Sequence, residues 1–265
     1  MNNLKEYTVI IRGAGEMASA VGVVLHRVGF SVIMTELEVP LAIRRTVCFS
    51  DTMLKGTAEV DGIRSDKADY TNYLGILRNG NIPVIIDSIE LIKKIKPEIY
   101  VDARLLKYSV KDRRLLAQFT VGLGPGFTVG LNCSAIIETM RGHNLGGVIW
   151  DGSASSNTGI PGKIGGESAK RVIYSPNVGN VEWLVDFGEI VKRGQVLGKI
   201  DNIEIKSHIS GIVRGLISPK VNTTKGMKIA DVDPRGKEVD YNTISDKALC
   251  AGRGVLEAIM VHLNQ

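Results

Sequence analysis

The sequence predicts an α/β protein: a doubly wound parallel sheet, then a small all-β region, then a closing helix. Three observations predict it. Short β-branched and apolar runs alternate with helical periodicities over roughly the first 150 residues. The texture then changes to Gly, Ser and Asn between Asp151 and Gly166, and strand-like segments with glycine turns follow to about Pro234. Finally, Val255, Leu256, Ile259 and Leu263 recur at helical spacing in the last segment, Lys247 to Leu263.

Val9-Ile10-Ile11 reads as a buried strand that ends in the turn Gly13-Ala14-Gly15. Apolar residues then recur at Met17, Ala18, Val21, Val24, Leu25 and Val28, which is the spacing of a helix with one buried face. Gly29 stops that helix, and Ser31 to Thr35 starts a second strand. Further strands are expected at Pro83 to Asp87, Ile99 to Asp102 and Thr120 to Leu123, with helices at Tyr70 to Leu77 and Glu90 to Ile95. Strand–helix alternation implies parallel pairing through right-handed crossovers. A further helix, Cys133 to Met140, is expected after the second glycine-rich turn, with Asn132 as its cap.

The chain divides on this reading into residues 1–150, a linker or functional loop at 151–170, an all-β region at 171–236, and a C-terminal helical segment at 237–265 that packs back on the α/β part. The all-β region carries an internal repeat. Gly179, Val181, Leu184, Gly194, Leu197 and Asp201 match Gly211, Val213, Leu216, Gly226, Ile229 and Asp233, each pair 32 residues apart. Two copies are too few for a solenoid and fit a pseudo-two-fold barrel or sandwich. Its pattern, with Gly188, Val191, Gly194 and Gln195 and later Gly211 and Val213, resembles the lipoyl/biotinyl hammerhead fold. That fold displays a modifiable lysine at a hairpin tip. Here the tip reads Ile200-Asp201-Asn202-Ile203, with Lys199 and Lys206 to either side, so a docking or structural module is expected and not a swinging-arm carrier.

Composition excludes several classes. The 44% apolar and 5% aromatic content suits an aliphatic globular core, and no apolar run approaches the roughly 20 residues of a membrane span. Residues Met1 to Glu6 lack the apolar core of a signal peptide, so a cytoplasmic protein is expected. Cys48, Cys133 and Cys250 are odd in number and form no CxxC pair, which argues against a disulfide framework or a cysteine-rich zinc site. His26, His143, His208 and His262 are too dispersed to propose a metal site. The net charge of +5 comes from scattered residues, so no nucleic-acid partner is expected, whereas anionic ligands are favoured. The sequence is compatible with a homo-oligomer.

Gly13-Ala14-Gly15-Glu16-Met17-Ala18 has the form G-x-G-x-x-A. The first glycine permits the tight turn and the second lets backbone approach a pyrophosphate. The following helix presents N–H groups and the positive end of its dipole to the anion. The setting is that of a Rossmann-type first βα turn, since the motif ends a strand and opens a helix. Glu36 lies 21 residues beyond Gly15, where an acid would bind ribose hydroxyls. Glu36 leans toward NAD, while Arg44 and Arg45 could accept a 2′-phosphate, so NAD(P) is left open. The alternative for the turn is a Rossmann-like domain that has lost its ligand.

The second glycine-rich turn runs from Gly122 to Gly130 and includes Gly124 and Gly126. It is expected to share the carboxyl edge of the sheet with the first, as either a ligand contact or an elaborate loop needing positive φ angles. Asp102 and Arg104 should reach that edge too. Catalytic candidates are Asp102, Cys133, whose thiolate a helix N-terminus would stabilise, and His143. Glu138 and Arg141 are explained as well by an i,i+3 ion pair. No residue pattern specifies a chemical step.

Several segments carry a family resemblance: TELEVPLAIRR at 35–45, VDARLLK at 101–107, GLGPGFTVG at 122–130, IETMRGHNLG at 137–146, KIADVDPRG at 228–236 and GVLEAI at 254–259. Together they resemble the YqeB-type accessory proteins of selenium-dependent molybdenum hydroxylases, over nearly the whole chain. That family is similar in its nucleotide-binding half to the XdhC/CoxI proteins, which assist insertion and sulfuration of molybdenum cofactor. The resemblance implies a maturation factor that binds a dinucleotide or molybdopterin cytosine dinucleotide and acts on a molybdenum hydroxylase apo-enzyme. If such chemistry needs a sulfur relay, Cys133 is the candidate. Two other classes compete: an NAD(P)-dependent oxidoreductase, which lacks an evident Tyr-x-x-x-Lys proton donor, and a non-enzymatic docking scaffold with a vestigial Rossmann domain.

Overall fold

The computed structural model describes residues 3–160 and 162–265; Met1, Asn2 and Pro161, the proline of the Gly- and Ser-rich stretch, lie outside the described residues. The chain forms two compact units. The first comprises residues up to Glu38, Cys48–Asn157 and Ile244–Gln265; the second comprises Val39–Val47 and Thr158–Thr243.

In chain order the first unit contains β1 (Thr8–Arg12), α1 (Glu16–Arg27), β2 (Ser31–Glu36), α2 (Thr52–Lys55), β3 (Thr57–Val60), β4 (Ile63–Lys67), α3 (Tyr73–Arg78), β5 (Ile82–Ile86) and α4 (Ile89–Ile95). It continues with β6 (Ile99–Asp102), β7 (Phe119–Leu123), β8 (Ala135–Ile137) and β9 (Val148–Ile149), and resumes after the second unit with α5 (Asp246–Leu263). The nine strands form one sheet in the order β3-β4-β5-β2-β1-β6-β7-β8-β9. From β4 to β8 every pairing is parallel; β3 and β9 add antiparallel edges. The β3–β4 hairpin turns on Asp61 and Gly62, both at positive φ, as a two-residue turn compatible with strand twist requires.

Each face of the sheet is covered by helices. On one, Ile10, Ile33, Ile85 and Tyr100 pack with Ile92 of α4 and with Tyr73, Ile76 and Leu77 of α3. Elsewhere α1 packs along α5, whose buried stripe is mostly small: Ala248, Ala251, Gly252, Val255 and Ala258. A Cβ at Gly252 would lie 3.0 Å from the Ala20 carbonyl oxygen, so glycine there permits the close crossing of the two helices.

One expected element is corrected. Residues 133–140 form no helix; Ala135–Ile137 is the buried strand β8, between β7 and β9. The β-branched pair Ile136-Ile137 suits a strand buried on both faces. Asn132 caps nothing helical: its side chain accepts the Thr128 N–H and donates to the carbonyls of Val110 and Gly126. The strand–helix alternation also lapses after β6, where the crossing to β7 holds only a 3-10 turn at Arg114–Leu116.

The second unit contains β10 (Val172–Tyr174), β11 (Glu182–Trp183), β12 (Ile190–Val191), β13 (Val196–Ile200), β14 (Ile203–Lys206), β15 (Gly211–Leu216) and β16 (Lys228–Asp233). They make two antiparallel sheets, β10-β16-β15-β12 and β11-β13-β14, around one aliphatic core. The sequence repeat has a structural counterpart. A Cβ at Gly179 would lie 2.7 Å from Ile200 Cγ2, and one at Gly211 would strike the Asp233 carbonyl oxygen, so each half needs its glycine against the end of its last strand. The β13–β14 hairpin closes on Asp201-Asn202, with Asp201 at φ 51° and no lysine at the tip. An ion-pair chain, buried except at Arg235, fixes this unit: Arg171 and Arg214 hold Asp231, and Arg214 and Arg235 hold Asp233.

Candidate functional site

The first glycine-rich turn leaves the carboxyl end of β1, between β2 and β6. Gly13 sits at φ +97°, in the left-handed region that favours glycine, donates its N–H to the Thr35 carbonyl at 2.9 Å, and would bring a Cβ to a tight 3.3 Å from Arg104 Cγ. The Ala14 N–H donates to Glu36 Oε2 at 2.9 Å, and Glu36 Oε1 accepts from the Leu37 N–H at 2.8 Å. Burial raises the Glu36 carboxyl above its ordinary value, against the pull of those two N–H donors. Each oxygen retains a lone pair for a further donor.

Gly15 is of another kind. It caps α1 at φ −69°, an ordinary value, and a Cβ there would meet nothing within 4 Å among the described residues. No internal contact and no backbone strain call for glycine at that position. Ala18, by contrast, is buried against the sheet, as a small residue at the end of this motif should be. Met17 is half-buried, and Glu16 accepts the N–H of Ser245, the cap of α5, at 3.0 Å.

The same sheet edge carries paired charges. Arg12 registers beside Thr35 on one side and Asp102 on the other. Its guanidinium makes a two-pronged contact with Asp87, the closer at 2.7 Å, and Thr35 Oγ1 donates to Asp87 at 2.9 Å. Burial pushes the Asp87 carboxyl up, but the hydrogen bond and charge of Arg12 outweigh it and the net shift is downward. Arg12 Nη1 is buried without a hydrogen-bond partner among the described residues. Asp102, wholly buried, holds Arg104 at 2.6 and 2.9 Å and accepts from the Tyr100 hydroxyl, whose own ionisation burial drives upward. Asp102 is thus a salt-bridged anchor that lays Arg104 against Gly13. Arg12, Thr35, Asp87 and Tyr100 escaped the sequence reading. Their signal was a polar residue at, or two residues from, the end of each buried apolar run.

The second glycine-rich turn has internal reasons for its glycines. A Cβ at Gly122 would enter the ring of the buried Phe127, and one at Gly126 would lie 2.7 and 2.8 Å from the carbonyl oxygens of Tyr108 and Leu106. Gly124 sits at φ +84°, and a Cβ there would lie 3.0 Å from Thr139 Oγ1. Residues beyond Trp150 are tied to this region: Val129 N–H donates to the Gly152 carbonyl and Ser155 N–H to Glu138 Oε2.

Of the other candidates, Cys133 lies before a strand and not at a helix N-terminus, and burial pushes its thiol up to about 12. The stabilised thiolate expected from a helix dipole is therefore corrected. His143 is exposed in the turn between β8 and β9. Glu138 does not pair with Arg141. It accepts the N–H groups of Thr139, Met140 and Ser155, which outweigh burial and lower its carboxyl, while Arg141 binds Asp246. Arg44 belongs to the second unit and donates to the carbonyls of Tyr241 and Thr243.

Comparison with known proteins adds one relation. The chain is 43% identical over 259 residues, 97% of its length, to the uncharacterized protein YqeB of Escherichia coli K12. It spans 48% of that protein, about half its length. No protein-family model matches. Among solved structures, a succinylglutamate desuccinylase/aspartoacylase from Rhodobacter sphaeroides is similar at 16% identity, over 85% of this chain and 84% of that one, with a TM-score of 0.27. The product-bound ectoine utilization protein EutE from Ruegeria pomeroyi is similar at 11% identity over 85% of each chain, with a TM-score of 0.26. Scores this low establish no common fold. No helix among the described residues is long and apolar enough to cross a membrane.

Proposed function

We propose that this chain binds a dinucleotide or a molybdopterin nucleotide at its first glycine-rich turn and serves as a maturation factor for a molybdenum hydroxylase of the selenium-dependent kind. The observation that carries the nucleotide reading is Gly15, a glycine that faces open space at the start of α1. A pyrophosphate is the ligand that such a turn suits, since close approach needs a bare Cα and the helix end favours an anion. Strand order supports the reading. The run β5-β2-β1-β6-β7-β8 follows the 3-2-1-4-5-6 order of Rossmann sheets, with β1 and β6 at the point where the order reverses. Glu36 has lone pairs for ribose hydroxyls, and Arg104 adds positive charge beside Gly13.

The maturation role rests on the family resemblance and on the hammerhead-like pseudo-symmetry of the second unit, which suits docking. The test is calorimetry or thermal unfolding with NAD, NADP, CTP and molybdopterin cytosine dinucleotide. A ligand that binds only the folded state raises the melting temperature by linkage. A rise with the pterin dinucleotide or CTP supports the maturation reading. A rise with NAD or NADP together with turnover of a carbonyl substrate would replace it with an oxidoreductase. No rise with any of the four would leave a docking scaffold.

A further inference from the structure

The second unit holds an open cleft of about 570 Å³ between the margins of its two sheets. Its walls include Val172 and Tyr174 of β10 and Lys206 of β14. Both are edge strands: β10 pairs only with β16, and β14 only with β13, among the described residues. Unpaired strand edges present rows of N–H and C=O groups that an added strand can meet. The charge lining the cleft has one sign. Lys170, Arg193 and Lys206 contribute the cations, the His208 imidazole lies beside them, and among the described residues no carboxylate residue lines it.

The side chains of Lys170, Arg193 and His208 make no hydrogen bond or ion pair among the described residues. Lys206 contacts Glu204 at 2.8 Å, but both are more than half exposed, so that pair is worth little and exchanges readily. The base of the rim is held firmly, by contrast. Arg193 N–H donates to Ser210 Oγ, Gly194 N–H to the Ser207 carbonyl, and Ser207 N–H to the Gln195 carbonyl. A pinned backbone therefore presents the Lys170 and Arg193 cations, unpaired among the described residues, above two open edges, with the half-exposed Tyr174 ring beside them.

We propose that this cleft docks an extended acidic segment of a partner protein, which adds as a strand to an open sheet edge while its carboxylates meet Lys170, Arg193, Lys206 and His208. An open, basic cleft does not bury a small ligand in the way a small-molecule pocket does. Main-chain pairing along an edge supplies affinity, and alternate acidic side chains supply specificity. This inference stands independently of nucleotide binding in the first unit.

The test uses a fluorescein-labelled peptide of about twelve alternating Glu and Val residues, read by anisotropy against the full chain at low salt. A Lys-Val peptide of the same length, a backbone N-methylated Glu-Val peptide and inorganic tripolyphosphate serve as comparisons. The Glu-Val peptide should bind, and the combined variant K170E/R193E should weaken it about tenfold or more while its melting temperature stays unchanged. The N-methylated and Lys-Val peptides should bind as weakly as the variant does. Absence of Glu-Val binding, or equal binding by the variant, would overturn the proposal. So would tripolyphosphate binding that K170E/R193E abolishes in the absence of peptide binding, since the cleft would then be a phosphate site.

Discussion

The two glycine-rich turns of the first unit look alike as sequence and differ as structure. In the second turn, Gly122 and Gly126 face Phe127 and the Leu106 and Tyr108 carbonyls, so the chain itself fills the space a side chain would need. In the first, Gly13 is likewise held by its own neighbours, but Gly15 faces nothing within 4 Å. A cluster of glycines thus reports close approach without saying of what. Only the surroundings of each Cα separate a loop folded on itself from a surface shaped for a ligand.

The largest effect that distinguishes the two turns is on stability. Gly126→Ala pushes a methyl into two backbone carbonyls that cannot swing aside, and should cost about 1–3 kcal/mol in urea unfolding. Gly15→Ala should cost under about 1 kcal/mol, the scale of a poorer helix cap. Equal losses would erase the comparison. Comparable in size is Asn132→Ala. It removes the Asn132 partner of the Thr128 N–H and of the Val110 carbonyl, while the Gly126 carbonyl keeps the Val110 N–H, and should cost about 1–3 kcal/mol, measured in the same way.

Two glutamates sharpen the contrast through pH. Glu36, beside the first turn, has a raised folded value, so its contribution is present below the unfolded value and is lost as pH rises through the folded one. Glu138, near the second, is lowered; its contribution is present above the unfolded value and is lost as pH falls through the folded one. Melting curves between about pH 3 and 8 should show the wild-type advantage over Glu138→Gln growing with pH and that over Glu36→Gln shrinking. Parallel slopes would contradict these environments. A smaller, local check concerns Cys133. With its thiol pushed up to about 12, it should react with a thiol reagent at pH 8 far more slowly in the folded chain than in the urea-unfolded one.

Much of the α/β frame was legible because apolar runs and their spacing follow directly from burial. Val9-Ile10-Ile11, Ser31 to Thr35 and Ile99 to Asp102 all lie in strands, and α1, α4 and α5 occupy stretches of helical periodicity. Residues 133–140 misled for a physical reason. Asn followed by an apolar run fits a capped helix and a buried strand equally, and the deciding contacts of Asn132 reach back to Val110 and Gly126. The excursion of Val39–Val47 into the second unit was likewise invisible, because Ile43 pairs its carbonyl with the N–H of Leu216, far along the chain. At the candidate site the turn and Glu36 could be read from local spacing. The Arg12–Asp87 pair, 75 residues apart, could be recognised only once parallel register brought strand ends together, whereas Asp102 and Arg104, two residues apart, were placed at that edge by sequence without their pairing being read.

The most direct test of nucleotide binding at the first turn is isothermal titration of the wild type and of Gly15→Val with whichever nucleotide raises the melting temperature most. Binding by the wild type, and its loss in a Gly15→Val protein that still unfolds cooperatively, is the expected result. Unchanged affinity in Gly15→Val would place the ligand elsewhere and contradict the account.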